Sequence, residues 1–251
     1  MEAALAFYRD ALGLTLVKEG DVPSRGVKAA LLAAGRSYLE LVQPTDDASP
    51  FAKHIEERGE GLHHLALLCD AVDSQIAALR EAAVPLEDHE AREGFTGRLS
   101  YLHPQAFDGA QLEVVQPADG LRGDGNRNGH ITRIDHVVLR VPDAQATCDR
   151  FETYFGVPTK RSFERGPMLF AFLRPGDVII EVIGPKDGGD PDSGRIAGLA
   201  FEVKSIDDFA ASLKEEGYPV GEPHAALQGG RIVSVHHSGA CGVPVAFIDF
   251  S

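Results

Sequence analysis

The sequence predicts an α+β protein built from four copies of one βαβββ module. Three observations carry that reading. First, ADGLRGDGNRNGH at residues 118–130 has repeated glycine turns, mixed charge and no apolar periodicity. It reads as a linker dividing the 251 residues into near-equal halves. Second, an alternating apolar strand, an acidic turn and a helix ending near Gly or Pro recur from His63, Asp135 and Ala197. Third, short β-like runs follow each helix, so that one copy spans roughly 50–60 residues.

The elements follow in order. EAALAFYRDALGLTL from Glu2 is an amphipathic helix with no basic leader and no cleavage pattern. The runs VKAALLAA from Val27 and SYLELVQP from Ser37 complete the first copy. The second has HHLALLCDAVDSQIAALREAAVPL from His63, with Ile76, Leu79 and Ala83 on one helical face, then RLSYLHP and QLEVVQP. The third has DHVVLRVPDAQATCDRFETYFGVPT, MLFAFLRP and VIIEVIGP. The fourth has AGLAFEVKSIDDFAASLKEEGYPV, RIVSVHH and VPVAFIDF. Asp143 and Asp207 are the expected N-caps of the third and fourth helices. The first copy lacks its leading strand. Aligning Ala11-Leu12-Gly13-Leu14 with Tyr154-Phe155-Gly156-Val157 puts the equivalent of His136 at −7. The start is read as truncated, since a missing strand leaves unpaired backbone groups on its neighbour.

Bulk properties narrow the function. A net charge of −14 argues against nucleic acid and anionic membranes, which reward clustered Lys and Arg. No apolar run reaches the length of a membrane span. Three cysteines, Cys69, Cys148 and Cys241, without CxxC spacing fit a reducing compartment, so a cytoplasmic protein is expected.

Two strand positions carry chemistry. One is a His early in the leading strand, His64 and His136. The other is a Glu in the closing strand, Glu40, Glu113 and Glu181, each between apolar neighbours. A carboxylate so placed is costly unless paired or bound to a metal. Imidazole with carboxylate suits divalent Zn, Mn, Co, Ni or Fe. Against this stands the plain alternative that each Glu faces solvent on an alternating strand. The fourth copy has Gly198 and Ala246 at these places. His236 and His237 read as surface residues.

These residues are where the chain resembles the vicinal-oxygen-chelate superfamily of glyoxalases, bleomycin-resistance proteins and dioxygenases. Residues 1–117 look most like the methylmalonyl-CoA epimerases through ALAFYRDALGL, LELVQP, SPFAKHIEERGEGLHHLAL, GRLSYLHP and QLEVVQP. Residues 131–251 resemble the superfamily generically, as a degenerate second domain. The resemblance implies that modules pair into two cupped mixed β-sheets with helices outside; the linker and the usual adjacency of consecutive elements pair first with second and third with fourth. A rival pairing of second with third would collect His64, Glu113, His136 and Glu181.

The resemblance also implies a divalent metal held by Glu40, His64 and Glu113, with His136 and Glu181 as weaker candidates. His63, next to the ligand position, would face the other way. Glu113 would act as a catalytic base on an enolate-forming substrate, an acyl-CoA or another thioester or carbonyl compound. Self-association into a homodimer stays open. Ser24 stands in PSRGV where the family turn carries a Glu, so the second base is in question; Glu19 and Asp21 are nearby substitutes. Arg98 matches a segment at the substrate mouth. Both Ser24 and Arg98 are taken as substrate-binding candidates. A glyoxalase I-type lyase, an extradiol-type dioxygenase and a non-catalytic ligand-binding protein are the competing functions.

Overall fold

A computed structural model describes residues 1–121, 129–190, 194–226 and 228–251. The expected linker therefore lies partly outside the described residues. The first module opens with helix α1 (Glu2–Leu5), continued by a π-helical turn over Ala6–Ala11 that buries Phe7 and Tyr8. It goes on through β1 (Thr15–Val22), β2 (Val27–Ala34), β3 (Ser37–Pro44) and α2 (Pro50–Arg58). The second comprises β4 (His64–Leu68), α3 (Val72–Glu81), β5 (Arg92–Glu93), β6 (Gly97–Tyr101) and β7 (Gln111–Pro117). The third comprises β8 (Ile131–Arg140), α4 (Ala144–Phe155), β9 (Thr159–Arg165), β10 (Met168–Leu173) and β11 (Ile179–Pro185). The fourth comprises β12 (Arg195–Val203), α5 (Ile206–Glu215), β13 (His224–Ala225), β14 (Arg231–Val235) and β15 (Val245–Asp249). The α+β repeat is thus present in all four copies, the first without a leading strand.

Among the described residues three sheets form where two were expected. The orders are β1-β2-β3, β4-β7-β6-β5 and β13-β14-β15-β12-β8-β11-β10-β9. In the eight-stranded sheet the third and fourth modules join through their leading strands, β8 and β12. Among the described residues the first module has no such strand, and the strands of the first and second modules form separate three- and four-stranded sheets. Within each complete module the leading strand runs parallel to the closing strand, as β4 with β7, β8 with β11 and β12 with β15. The helix is the crossover that a parallel pair requires.

The chain packs as two compact units. One comprises Met1–Leu62, Gly123–Asp135 and Gly198–Ser251; the other comprises His63–Arg122 and His136–Ala197. These do not coincide with the halves 1–117 and 131–251 drawn from the sequence, because apolar side chains pack across that division. In the first unit Phe7 lies 5.1 Å from the Tyr218 ring, and the buried Tyr8 hydroxyl donates to the Ala240 carbonyl. Burial drives the Tyr8 phenol far above its ordinary pKa. Phe209 meets Phe247 edge-on at 4.7 Å. In the second unit Phe107 packs on Phe151 at 4.7 Å, and Arg150 pairs with Asp108.

Helix starts are fixed in two ways. Asp143 Oδ1 accepts from Ala146 N at 2.9 Å, the expected N-cap. Asp207 is not a cap; it is paired with Arg231, and Ser205 holds the cap position. The first N–H of α5 goes instead to Asp249 on the closing strand, at 3.2 Å, and that of α3 goes to Gln116 at 3.1 Å. Asp249 and Gln116 are equivalent, three residues beyond Ala246 and Glu113. The third module has Gly184 there. A β-carbon at that position would stand 2.2 Å from the Val141 carbonyl oxygen, so this module caps its helix from its own turn. In α3 the apolar face is Val72, Ile76 and Leu79. Ala83 leaves it, because the chain turns left-handed there (φ 54°) and Val84 enters the core instead.

Hydrogen bonds from Ser251 and Ile206 hold the Asp249 carboxyl below its ordinary pKa. A depressed folded pKa means that its stabilisation is complete above the unfolded value of about 3.9 and is lost as pH falls through the folded pKa. Asp249→Asn should cost about 1 kcal/mol at neutral pH. It should also flatten the loss of stability in acid, as checked by urea unfolding from pH 7 down to pH 3.

Candidate metal and acid–base site

The parallel pairing of leading and closing strands sets the site. In the second module His64 lies opposite Gln111 and Ala66 opposite Glu113. In the third, His136 lies opposite Ile179 and Val138 opposite Glu181. The offset is the same: the Glu stands two residues beyond the partner of the His. Side chains two apart on a strand share a face, so each His and its Glu meet. His64 Nε2 is 3.4 Å from Glu113 Oε1, and His136 Nε2 is 3.6 Å from Glu181 Oε2.

Burial separates Glu113 from an ordinary surface carboxylate. The residue is 3% exposed, and its Oε2 is buried without a hydrogen-bond partner. A solvent-facing Glu is therefore excluded at this position. Such an atom calls for an explanation, because an unsatisfied buried acceptor costs about 1–3 kcal/mol. Tyr101 lies opposite Glu113 on β6, and its hydroxyl comes within 3.4 Å of His64 Nε2. In the third module the place of Tyr101 is taken by Phe172, opposite Glu181.

His63 is not turned away from the site. It precedes β4 and so escapes strand alternation; its Nδ1 lies 2.9 Å from His64 Nδ1, with the rings edge-on. A nitrogen–nitrogen contact needs one hydrogen between them. When His64 carries it on Nδ1, its Nε2 presents a lone pair toward Glu113 and Tyr101.

The other candidates fall elsewhere. Arg98 makes a bidentate pair with Asp73 at 2.8 and 3.0 Å, on the strand face opposite to Tyr101. It is an exposed clamp between β6 and α3, not a residue of the His64–Glu113 face. Ser24 is exposed in a 3-10 turn over Pro23–Arg25. Glu19 pairs with Lys28 at 2.8 Å, which holds its carboxyl below the ordinary range. Glu40 is half-buried on β3 of the other unit, opposite Leu31. In the fourth module Leu199 lies opposite Val245, which puts Gly198 and Ala246 at the His and Glu positions. His236 and His237 are exposed, with rings 4.2 Å apart.

Among the described residues no three His, Cys, Asp or Glu side chains converge as a metal cluster. What exists in the second unit is two His–Glu pairs. Each fits as half of a divalent metal site: ligand atoms at about 2.0–2.2 Å from one tetrahedral ion stand roughly 3.4 Å apart. The unpartnered oxygen of Glu113 adds the acceptor that such an ion or a proton would use. Sequence reasoning missed Tyr101, His63 and Arg92, whose guanidinium lies 5.0 Å over the Tyr101 ring. Tyr101 was recoverable from alternation in RLSYLHP; the other two carry no such signal.

The model of the Glyoxalase/Bleomycin resistance protein/Dioxygenase superfamily matches residues 1–101 and 135–234. The chain belongs to that superfamily. It is 34% identical over 115 residues to the uncharacterized protein YqjC of Bacillus subtilis, covering 45% of this chain and 82% of that protein. It is also 34% identical over 122 residues to the ethylmalonyl-CoA/methylmalonyl-CoA epimerase of Cereibacter sphaeroides, covering 46% and 89%. A variant 4-hydroxymandelate synthase from Streptomyces coelicolor aligns over 100% of this chain and 89% of its own. Its TM-score is 0.73 at 19% identity, a likeness of fold alone. No helix among the described residues is long and apolar enough to cross a membrane.

Replacing Glu113 by an apolar side chain of similar size should relieve the cost of its unpaired oxygen. In the presence of a chelator, Glu113→Leu should unfold at the wild-type temperature or above it, gaining on the order of 1 kcal/mol. Calorimetric melting checks this. A loss of similar size would assign the carboxylate a structural partner.

Proposed function

We propose that the protein is a metal-dependent isomerase that stabilises an enolate, acting on a 2-carboxyacyl-CoA in the manner of methylmalonyl-CoA epimerisation. The observation that carries this reading is the buried Glu113 carboxylate beside His64, with one oxygen unpartnered. The epimerases among the relatives support the substrate class.

His64 Nε2 and Glu113 Oε1 would hold the divalent ion. Glu40, a ligand by resemblance alone, lies in the other unit and is not assigned to this ion. When bound, the ion acts as a Lewis acid that polarises the thioester carbonyl. The chain's own residues do the rest. Glu113 takes the C2 proton at Oε2, the atom the fold leaves free. Tyr101 keeps the His64 ring in place from one side and His63 from the other. Return of the proton to the opposite face needs a second donor. Ser24 cannot serve as a base without an activating partner, so exchange and inversion are separate readouts.

The purified protein with one added divalent metal should exchange the C2 proton of methylmalonyl-CoA into deuterated water. Glu113→Gln should slow that exchange by about 100-fold or more, and His64→Ala should lower bound metal as read by elemental analysis. Absence of exchange in the wild type, with turnover of the methylglyoxal–glutathione adduct instead, would replace the isomerase by a glyoxalase-type lyase.

A further inference from the structure

Glu113 Oε2 is not alone in lacking a partner. Among the described residues, Arg92 Nη2 is likewise a buried side-chain atom with no hydrogen-bond partner. The two belong to one face of one sheet. Arg92 on β5 lies opposite Leu99, and Tyr101, two residues further along β6, lies opposite Glu113. Directly opposed residues, and residues two apart on a strand, point the same way. Arg92, Leu99, Tyr101 and Glu113 are therefore neighbours on the face that carries His64.

The guanidinium is fixed rather than free. Asp88 Oδ2 accepts from Arg92 Nε at 2.9 Å and from Tyr101 N at 3.0 Å, tying the cation to the strand it covers. The Tyr101 ring lies 5.0 Å beneath it. Nε is thus spent on Asp88, while Nη2 beside it is held in place and unsatisfied. A preorganised guanidinium N–H is suited to a carboxylate, which it meets with a short, charge-assisted hydrogen bond. The face consequently offers a free acceptor at Glu113 and a free cationic donor at Arg92, with Tyr101 between them. A ligand that places an acidic C–H at the first and an anion at the second would satisfy both.

We infer that Arg92 recognises the carboxylate of the substrate and makes the site selective for carboxylated over uncarboxylated acyl thioesters. The inference rests on the 2-carboxyacyl-CoA reading above and adds the residue that would enforce it. Arg98, the cation suggested by sequence, is excluded from this role by its bidentate pair with Asp73 on the opposite face.

The test is binding, read by calorimetry, of racemic methylmalonyl-CoA and of propionyl-CoA, which lacks the carboxylate. Wild-type protein should prefer methylmalonyl-CoA. Arg92→Gln should lose about tenfold or more in affinity for it, with propionyl-CoA binding unchanged. Arg92→Lys keeps the charge without the fork and should lose less. It serves as the second variant if Arg92→Gln melts early. Equal discrimination in the wild type and in whichever variants are folded would overturn the inference, as would a wild type that does not discriminate. C2 exchange into deuterated water separates the two proposals. Discrimination lost in Arg92→Gln without exchange in the wild type leaves the anion site standing and removes the isomerase. Exchange in the wild type with unchanged KM in Arg92→Gln does the reverse.

Discussion

The parallel pairing of a module's leading strand with its closing strand is the constraint on which the rest depends. Strands that run the same way cannot be joined by a tight turn, so the helix must cross over one face of the sheet. That face becomes the core: Leu169, Ala171, Ile180 and Val182 are buried on it in the third module. The opposite face is left for chemistry. The same pairing brings the end of the closing strand to the start of the helix, where Gln116 and Asp249 satisfy a backbone N–H. One register thus fixes the core, the cap and the meeting of His with Glu.

Much of this was legible in the sequence because period-2 alternation and turn residues are local signals. The repeat, the strand positions of His64, Glu113, His136 and Glu181, and the Asp143 cap needed no more. What was not legible depends on contacts distant in sequence. Asp207 was the expected cap of α5, but the strand pairing brings Asp249 there to accept from Ile206 N. Arg98 and Arg92 are both arginines flanking a glycine turn. Which one faces the site follows from the pairing of a two-residue strand, β5, that no periodicity marks. His63 was misread because alternation was extended one residue beyond the start of β4. The division into two halves was drawn from a linker, whereas packing is decided by aromatic side chains such as Phe7 and Phe107 on their partners.

Burial of Glu113 runs against stability. A carboxylate at 3% exposure with an unbonded oxygen is a cost that ordinary selection for a tight core would remove. The neighbouring Leu99, Tyr101 and Val115 form a buried cluster that would readily continue through an apolar residue. Natural proteins accept such costs at functional sites and offset them elsewhere.

The chain itself supplies the control for that argument. Three modules share one register, with the sites stripped in steps. The second has His64, Glu113 and, opposite the Glu, Tyr101. The third keeps His136 and Glu181 but has Phe172 in place of the tyrosine. The fourth has Gly198 and Ala246, with Ser234 opposite. Yet β12 and β15 still run parallel in the same offset, and Asp249 still caps α5. The module therefore folds to its register without the His, the Glu or the tyrosine. Folding does not require them, so the fold alone does not account for their presence in the second module or for the buried and unpartnered oxygen they surround; the proposed metal site is the reading that does.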